Sequence, residues 1–249
     1  MKKTAKQPIK TVNLSPPSLL ALGFLSFISI GTILLKLPIS HHGEMSWINA
    51  LFTATSAVTI TGLSVVNIGD AYTVFGQMVI MLLLQCGGLG FMTFAILAVL
   101  SLSSKIGLKQ QIMAQDTIGQ TNLSKVSMTI KSVLLYSLFF EGIGTVILTL
   151  AWMQDYPFSD AFFYAAFYSV SAFNNGGFSL FPNSLMSFAD QYLITLTISM
   201  LYIIGGIGFV VLMDIKRAKR WKKLSPNSKL ILSTIAGLNF VAFLLIWAI

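Results

Sequence analysis

Two short polar stretches interrupt apolar sequence and hold the residues best suited to bind a metal cation. They are residues 59–63, Thr-Ile-Thr-Gly-Leu, and residues 174–178, Asn-Asn-Gly-Gly-Phe. Each follows an apolar segment that is too short to cross the roughly 30 Å hydrocarbon core of a bilayer. Backbone at that depth must be buried in protein or line a water-filled cavity, because each unpaired amide or carbonyl that faces lipid costs several kcal/mol. We therefore predict that both stretches line an internal cavity.

The end of each short apolar segment favours a cation over an anion. A helix that stops within the membrane points its carbonyl pole, which carries partial negative charge, at the cavity. Extended residues that follow present carbonyl oxygens, the groups that replace the hydration shell of potassium in selectivity filters. Gly62 and Gly177 allow the backbone angles that keep such carbonyls turned toward an ion. The candidate backbone ligands are Thr59, Ile60, Thr61, Gly62, Asn174, Asn175, Gly176 and Gly177.

The side chains of four candidates leave a second interpretation open. The amides of Asn174 and Asn175 could face the ion in place of main-chain oxygens, although asparagine also simply tolerates turns. The hydroxyls of Thr59 and Thr61 could either face the pore or stabilise the loop from behind. The sequence does not separate these uses.

The composition predicts an integral membrane protein. Of the 249 residues, 55% are hydrophobic and 10% are charged, which leaves too little polar surface to cover a soluble globule. The first apolar run is expected to be retained, since no small-residue cleavage site follows it. Five runs are long enough to span a bilayer, about residues 17–37, 74–102, 132–153, 192–213 and 230–249.

The charged residues divide between the two ends of these spans. The net charge is +8, and every Lys and Arg except Lys36 lies before the first span or in the loops after the second and fourth spans. The positive-inside rule places the amino terminus and these basic loops in the cytoplasm. Because the basic residues sit at span ends and form no stripe among aromatics, no nucleic-acid partner is expected. The opposite side carries Glu44, Asp70, Asp155, Asp160 and Asp190.

An internal repeat connects the two polar stretches. At the offset that separates Gly62 from Gly177, several neighbours also match, and a Gly-Gly-x-Gly motif recurs at residues 87–90 and 205–208. These glycines are either gating hinges or sites of close helix packing, and we favour packing. The matched pairs are Ala50 with Ala165, Phe52 with Phe167, Ser56 with Ser171, Ala57 with Ala172, Gly62 with Gly177 and Ser64 with Ser179.

The repeat predicts an all-α integral membrane fold built from units of outer helix, pore half-helix, filter loop and inner helix, as in potassium channels. The chain would hold two complete units, and the family resemblance given in the next paragraph implies that its last span is the first helix of a third. The predicted segments are a cytosolic amino-terminal segment at 1–15, a first pore unit at 16–104, a cytosolic loop at 105–130, a second pore unit at 131–215, a basic cytosolic loop at 216–229 and the first helix of a truncated third unit at 230–249.

The filter and inner-helix motifs resemble the membrane subunit of bacterial Trk/Ktr potassium uptake systems, especially the Ktr type. The motifs are residues 55–63, 171–178 and 87–91, and the resemblance covers almost the whole chain. It implies four units in one polypeptide around a gated pore, with a single filter glycine each, here Gly62 and Gly177. This chain is then expected to be an amino-terminal fragment.

The same resemblance implies the setting in which such a pore works. It implies a bacterial inner-membrane protein that conducts potassium without a cofactor and excludes sodium less stringently than tetrameric channels do. It also implies a homodimer and a cytosolic nucleotide-binding ring as regulator.

Three alternatives remain open. One is a sodium-selective or weakly selective cation pore of the same fold, and another is a membrane anchor for a cytosolic complex, which would leave both polar stretches without a purpose. An intramembrane enzyme would need a nucleophile–base pair, metal ligands or paired carboxylates at membrane depth. Only Glu141 and Cys86 qualify for such a role, and they lie in different spans.

Other polar residues are expected to have structural roles. Glu141 is interpreted as a partner in a helix interface, and Cys86 as a buried thiol, since a single cysteine makes no disulfide framework. His41 and His42 are interpreted as a solvated loop, because adjacent histidines do not form a shaped metal site.

Overall fold

The computed structural model describes residues 16–88 and 123–248 as a set of helices. Within these ranges no β-strand is present, only an isolated bridge between His41 and Tyr72. The mostly helical fold agrees with the predicted all-α class. The helices are α1 Pro16–Lys36, α2 Trp47–Val58, α3 Ile68–Ala71, α4 Val74–Gly88, α5 Leu123–Trp152, α6 Phe158–Phe173, α7 Tyr192–Ile207, α8 Phe209–Ala218 and α9 Pro226–Trp247.

Helix α2 packs against both α1 and α4. It begins where the hydroxyl of Ser46 accepts a hydrogen bond from the backbone N–H of Asn49 at 3.0 Å, which satisfies one of the free donors of the first turn. A Cβ on Gly31 of α1 would lie 2.7 Å from Leu83 and 3.3 Å from Ala54. The missing side chain therefore lets the three helices meet closely.

Helix α6 is held in the same way by α5 and α7, and it also contacts α4. A Cβ on Gly144 of α5 would lie 2.5 Å from Leu201 of α7 and 2.9 Å from the hydroxyl of Ser169 of α6. Gly144 thus occupies the place that Gly31 has in the first group. The contact between α4 and α6 joins the two groups of helices and brings the ends of α2 and α6 together.

Two helices in the described part of the chain are long and apolar enough to cross a membrane, by length and composition. They are Lys131–Trp152 within α5 and Pro226–Ile246 within α9, and they coincide with the third and fifth predicted spans. Ala21–Lys36 and Val74–Gly88 are shorter apolar helices within the first two predicted spans. The rest of the second predicted span, residues 89–102, lies outside the described residues, as does segment 1–15.

The fourth predicted span, about residues 192–213, is not one straight helix, although its two parts together are long and apolar enough for a broken span. Helix α7 ends at Ile207, and the axis turns by 89° before the chain continues as α8. Gly208 lies between them with φ +85° and ψ 145°. Residues other than glycine rarely adopt such backbone angles. A Cβ added at Gly208 would have no atom within 4 Å among the described residues. Gly208 therefore serves the bend, not close packing.

Candidate functional site: the two polar loops

Helix α2 ends in a tight turn, here called loop 1, at residues 59–63. The backbone N–H of Thr59 donates to the carbonyl of Thr55 at 2.9 Å, and that of Thr61 donates to the carbonyl of Ser56 at 2.9 Å. Ile60 and Gly62 adopt left-handed conformations, with φ of 56° and 75°. The turn therefore uses carbonyls of the helix itself and leaves those of the loop available.

Helix α6 ends in the same turn, here called loop 2, at residues 174–178. The backbone N–H of Asn174 donates to Val170 at 3.1 Å, and that of Gly176 donates to Ser171 at 2.7 Å. Asn175 and Gly177 take the left-handed conformations, with φ of 58° and 69°. Each of these four residues lies at the repeat offset from its counterpart in loop 1, so matched sequence has produced matched backbone.

A serine of the preceding helix braces each loop. The hydroxyl of Ser56 accepts from the backbone N–H of Leu63 at 3.0 Å, and the hydroxyl of Ser171 accepts from that of Phe178 at 3.0 Å. The Ser171 hydroxyl also donates to the Phe178 carbonyl at 3.0 Å. We did not assign a role to these serines from sequence, although their match within the repeat was the signal that could have found them.

The two loops lie side by side. A Cβ on Gly62 would lie 2.8 Å from the carbonyl oxygen of Gly176 and 3.3 Å from the Cα of Gly177. Within the described residues, no protein donor bonds the carbonyl oxygens of positions 59–62 or 174–177. Both loops therefore present backbone acceptors that the described residues leave free, next to the carbonyl poles of α2 and α6.

The side chains of the candidate ligands are engaged with neighbouring protein groups. Thr59 donates its hydroxyl to the carbonyl of Thr55 at 2.8 Å and shares a hydrogen bond of 2.7 Å with Thr61. In the orientation that satisfies both atoms of its amide, Asn175 donates to the carbonyl of Tyr202 at 3.2 Å and accepts from the N–H of Gly206 at 3.1 Å. These contacts favour main-chain oxygens over side chains as cation ligands.

Glu141 is buried at 5% exposure and joins a ring of polar side chains. Its Oε1 accepts from the hydroxyl of Ser137 at 2.7 Å and from Nδ2 of Asn174 at 3.1 Å. The same Nδ2 lies 2.8 Å from Oε1 of Gln85, whose own Nε2 donates to Ser137 at 2.9 Å. The predicted role of Glu141 as a partner in a helix interface is confirmed.

Glycines of α4 and α7 lie against the ends of the preceding helices. A Cβ on Gly87 would collide with the carbonyl of Val58, and one on Gly205 would collide with the carbonyl of Phe173. Gly88 similarly leaves room for the side chain of Asn174. Close packing is therefore confirmed for these three glycines, whereas Gly90 lies outside the described residues.

The other residues considered from sequence, Cys86 and His41, lie outside the two loops. Cys86 is exposed, so the prediction of a buried thiol was wrong; its neighbours Leu84 and Gly87 lie on the buried face of α4 instead. The ring of His41 contacts the carbonyl of Gly43 at 2.9 Å. Across residues 16–88 and 123–248, no three His, Cys, Asp or Glu side chains are grouped so as to hold a metal.

Comparisons with known proteins show which family this chain belongs to. The profile of the TrkH family, described as a cation transport protein, matches residues 16–249. The chain is 46% identical to Ktr system potassium uptake protein B of Bacillus subtilis over 96% of this chain and 54% of that protein. It is 37% identical to the protein of the same name in Vibrio alginolyticus, over 93% of this chain and 51% of that protein.

A third relative has a broader name. Potassium/sodium uptake protein NtpJ of Enterococcus hirae is 36% identical over 93% of this chain and 52% of that protein. The chain thus spans about half the length of the curated relatives it matches. The profile match and these identities confirm the Trk/Ktr resemblance: the chain belongs to the TrkH family of cation transport proteins.

Proposed function

We propose that the protein containing this chain conducts potassium ions passively across the bacterial cell membrane through a gated pore. Family membership and the names of the two Ktr relatives support potassium as the substrate. The observation that carries the proposal is the pair of matched loops, adjacent to each other, whose carbonyl oxygens accept no hydrogen bond in the described part of the chain. Conduction needs no chemical step, so we propose neither enzymatic activity nor a cofactor.

In this proposal the backbone oxygens of loops 1 and 2 replace part of the hydration shell of the ion. The ligands are the carbonyls of Thr59 to Gly62 and of Asn174 to Gly177. The carbonyl poles of α2 and α6 add a favourable field for a cation at the same place. Since a column of carbonyls holds the ion only while the loop backbone stays in place, the serine braces would act as supports of the site.

The proposed architecture is a set of repeated pore units. Helices α1, α2 and α4 would form the first unit with loop 1, and α5, α6 and α7 would form the second with loop 2. Helix α9 would be the outer helix of a third unit. The curated relatives are about twice as long as the matched region, which leaves room for the further loops that a closed pore needs.

The proposed partners follow from the resemblance to Ktr systems. The intact protein would be a homodimer in the lipid bilayer of the bacterial cell membrane, regulated by a cytosolic nucleotide-binding ring. The basic segment at residues 216–229 would lie on the cytoplasmic side, where anionic headgroups and the ring could both contact it.

A second candidate function is a weakly selective potassium and sodium pathway. The relative named potassium/sodium uptake protein supports it. Both candidates use the same loops, and the ratio of potassium to sodium uptake separates them.

The proposal is tested by uptake in cells that lack their own potassium uptake systems. The full-length gene product should restore growth at low potassium. Gly62→Ser should abolish this growth or admit sodium, because the new side chain would be strained at φ +75° and would crowd Gly176. The matched control is Gly142→Ser on α5, where nothing lies within 4 Å of the added Cβ.

The outcomes separate the candidates. Rescue by the wild type and by the control but not by Gly62→Ser would support the filter assignment. Unchanged uptake and selectivity in a Gly62→Ser protein that reaches the membrane would contradict that assignment. A wild-type protein that transports no monovalent cation would support the interpretation as a membrane anchor for a cytosolic complex.

A further inference from the structure

Four polar side chains close into a ring behind loop 2. Asn174 comes from the end of α6, Gln85 from α4, and Ser137 and Glu141 from α5. The ring therefore ties the first residue of loop 2 to one helix of its own group and one helix of the other group. Each bond measures between 2.7 and 3.1 Å, within the normal range for hydrogen bonds.

The ring fixes the direction of the Asn174 side chain. The residue is 5% exposed, and its Nδ2 also lies 2.9 Å from the carbonyl of Val170. Its side chain packs where Gly88 of α4 leaves space. The amide thus points between α4 and α5, and the peptide carbonyl of Asn174 stays available to the loop.

Within residues 16–88 and 123–248, loop 1 has no equivalent ring. Thr59 stands in the position of Asn174, and its hydroxyl bonds within its own turn, to Thr55 and Thr61. The sequence of α1, which corresponds to α5, contains neither Asp nor Glu. The two loops therefore share their backbone but differ in what holds their first residue.

Resting on the proposed function, we propose that Glu141 is a positioning residue that acts through Asn174 to hold loop 2 in the geometry that discriminates potassium from sodium. Nδ2 of Asn174 has two hydrogens and three acceptors, so without the Glu141 oxygen it still bonds Gln85 and Val170. What it loses is the described bond that holds it to α5, and without that bond the side chain can move. Because Asn174 caps α6 and begins loop 2, such a movement displaces a candidate ligand carbonyl. In this mechanism Glu141 accepts a hydrogen bond from the side-chain amide of Asn174.

The test compares Glu141→Leu, which removes the acceptor, with Glu141→Gln, which keeps an accepting oxygen. The readout is the ratio of potassium to sodium uptake in the same cells, which does not depend on how much protein reaches the membrane. We expect Glu141→Leu to lower this ratio on the order of fivefold, the size of coupling seen between directly bonded side chains. Glu141→Gln should keep the ratio within about twofold, since its oxygen still accepts.

Two further variants make the test specific. Thr149→Val removes a buried hydroxyl on the same helix that donates to the carbonyl of Thr145 within α5, and it should leave the ratio unchanged. Gln85→Met removes the other ring acceptor of Asn174 with little change of shape, and it should lower the ratio as Glu141→Leu does. It serves as the test variant if Glu141→Leu does not reach the membrane.

Each result supports or overturns the inference. An unchanged ratio in Glu141→Leu or Gln85→Met would overturn it, while the proposed function would stand if the wild type still takes up potassium. An equal loss in Glu141→Gln and Glu141→Leu would assign the effect to the carboxylate charge and would also overturn the positioning role. Absence of potassium uptake by the wild type would instead contradict the proposed function itself.

Discussion

Ile60 and Asn175 are non-glycine residues in left-handed backbone conformations at matched positions of the two loops. For a β-branched residue such as Ile60 this conformation is an outlier that costs on the order of 1–2 kcal/mol. Asparagine tolerates it better. Such strain persists where surrounding bonds over-determine the backbone, and here the turn bonds and the serine braces do so. The cost is consistent with loops whose backbone orientation serves a site.

We expect Ser171→Ala to weaken loop 2, because both the N–H and the carbonyl of Phe178 lose their bonds to the Ser171 hydroxyl. The expected loss of stability is about 1–3 kcal/mol, with a lower ratio of potassium to sodium uptake. Thermal unfolding of purified protein and ion uptake measure the two effects.

The matched control for this change is Ser169→Ala on the same helix. Ser169 is fully buried, and its hydroxyl has no hydrogen-bond partner in the described part of the chain. Its removal should leave both stability and selectivity near wild type. Equal effects of the two alanine variants would show that the serine brace contributes nothing specific to loop 2.

At the scale of elements, glycines set the distance between α4 and α2 and between α7 and α6. Gly87 of α4 lies against the carbonyl of Val58, and Gly205 of α7 lies against that of Phe173. Without side chains at these points, α4 packs directly on the carbonyl end of α2, and α7 on that of α6. The same close approach holds both loops at the ends of their helices.

We expect Gly205→Ala to destabilise the protein by about 1–3 kcal/mol, the usual cost of forcing extra atoms into a packed interface. The added methyl group would collide with the Phe173 carbonyl, so α7 must shift away from loop 2. The neighbouring Gly206→Ala adds the same group at 3.6 Å from Asn175, an ordinary contact, and should cost less. Thermal unfolding in detergent compares the two, and a reversed order would contradict the packing assignment.

At the scale of the whole molecule, α9 contributes almost entirely exposed apolar surface. Apart from Ser228 in its first turn, no described residue of its candidate span is buried, and large side chains such as Leu238, Phe240 and Ile246 are exposed. Among the described helices it contacts α7 and α8. An apolar helix of this kind needs lipid or further protein around it, which is consistent with a place at the outside of an additional unit.

The charge distribution predicts the orientation of the molecule in the membrane. Single cysteines at Asp155 and Lys222, in a background without other cysteines, should react differently with a membrane-impermeant maleimide. Asp155→Cys should be labelled in intact cells, whereas Lys222→Cys should be labelled only after permeabilisation, since basic loops stay in the cytoplasm. Both native residues are exposed, so the reverse pattern would show that the orientation is inverted.

The local sequence pattern alone was enough to predict several features of this protein. Hydropathy and charge located the apolar helices, and the repeat singled out both polar loops together with Gly62 and Gly177. These features depend on neighbouring residues, because capping, glycine conformations and helix-end geometry are decided within a few positions. Matched sequence accordingly gave matched turns.

Contacts between distant residues were decided only by the tertiary structure. The ring of polar side chains joins Gln85 to Asn174 and Asn174 to Glu141. The close approach of Gly62 to Gly176 joins the two loops. The exposure of Cys86 belongs to the same class. Such contacts depend on how each helix is rotated and where it crosses its neighbours, which side-chain packing fixes and local periodicity does not. By itself the sequence thus determined the apolar helices and the matched backbone of the two loops, while the packing of α4, α5 and α6 determined which side chains hold loop 2 in place.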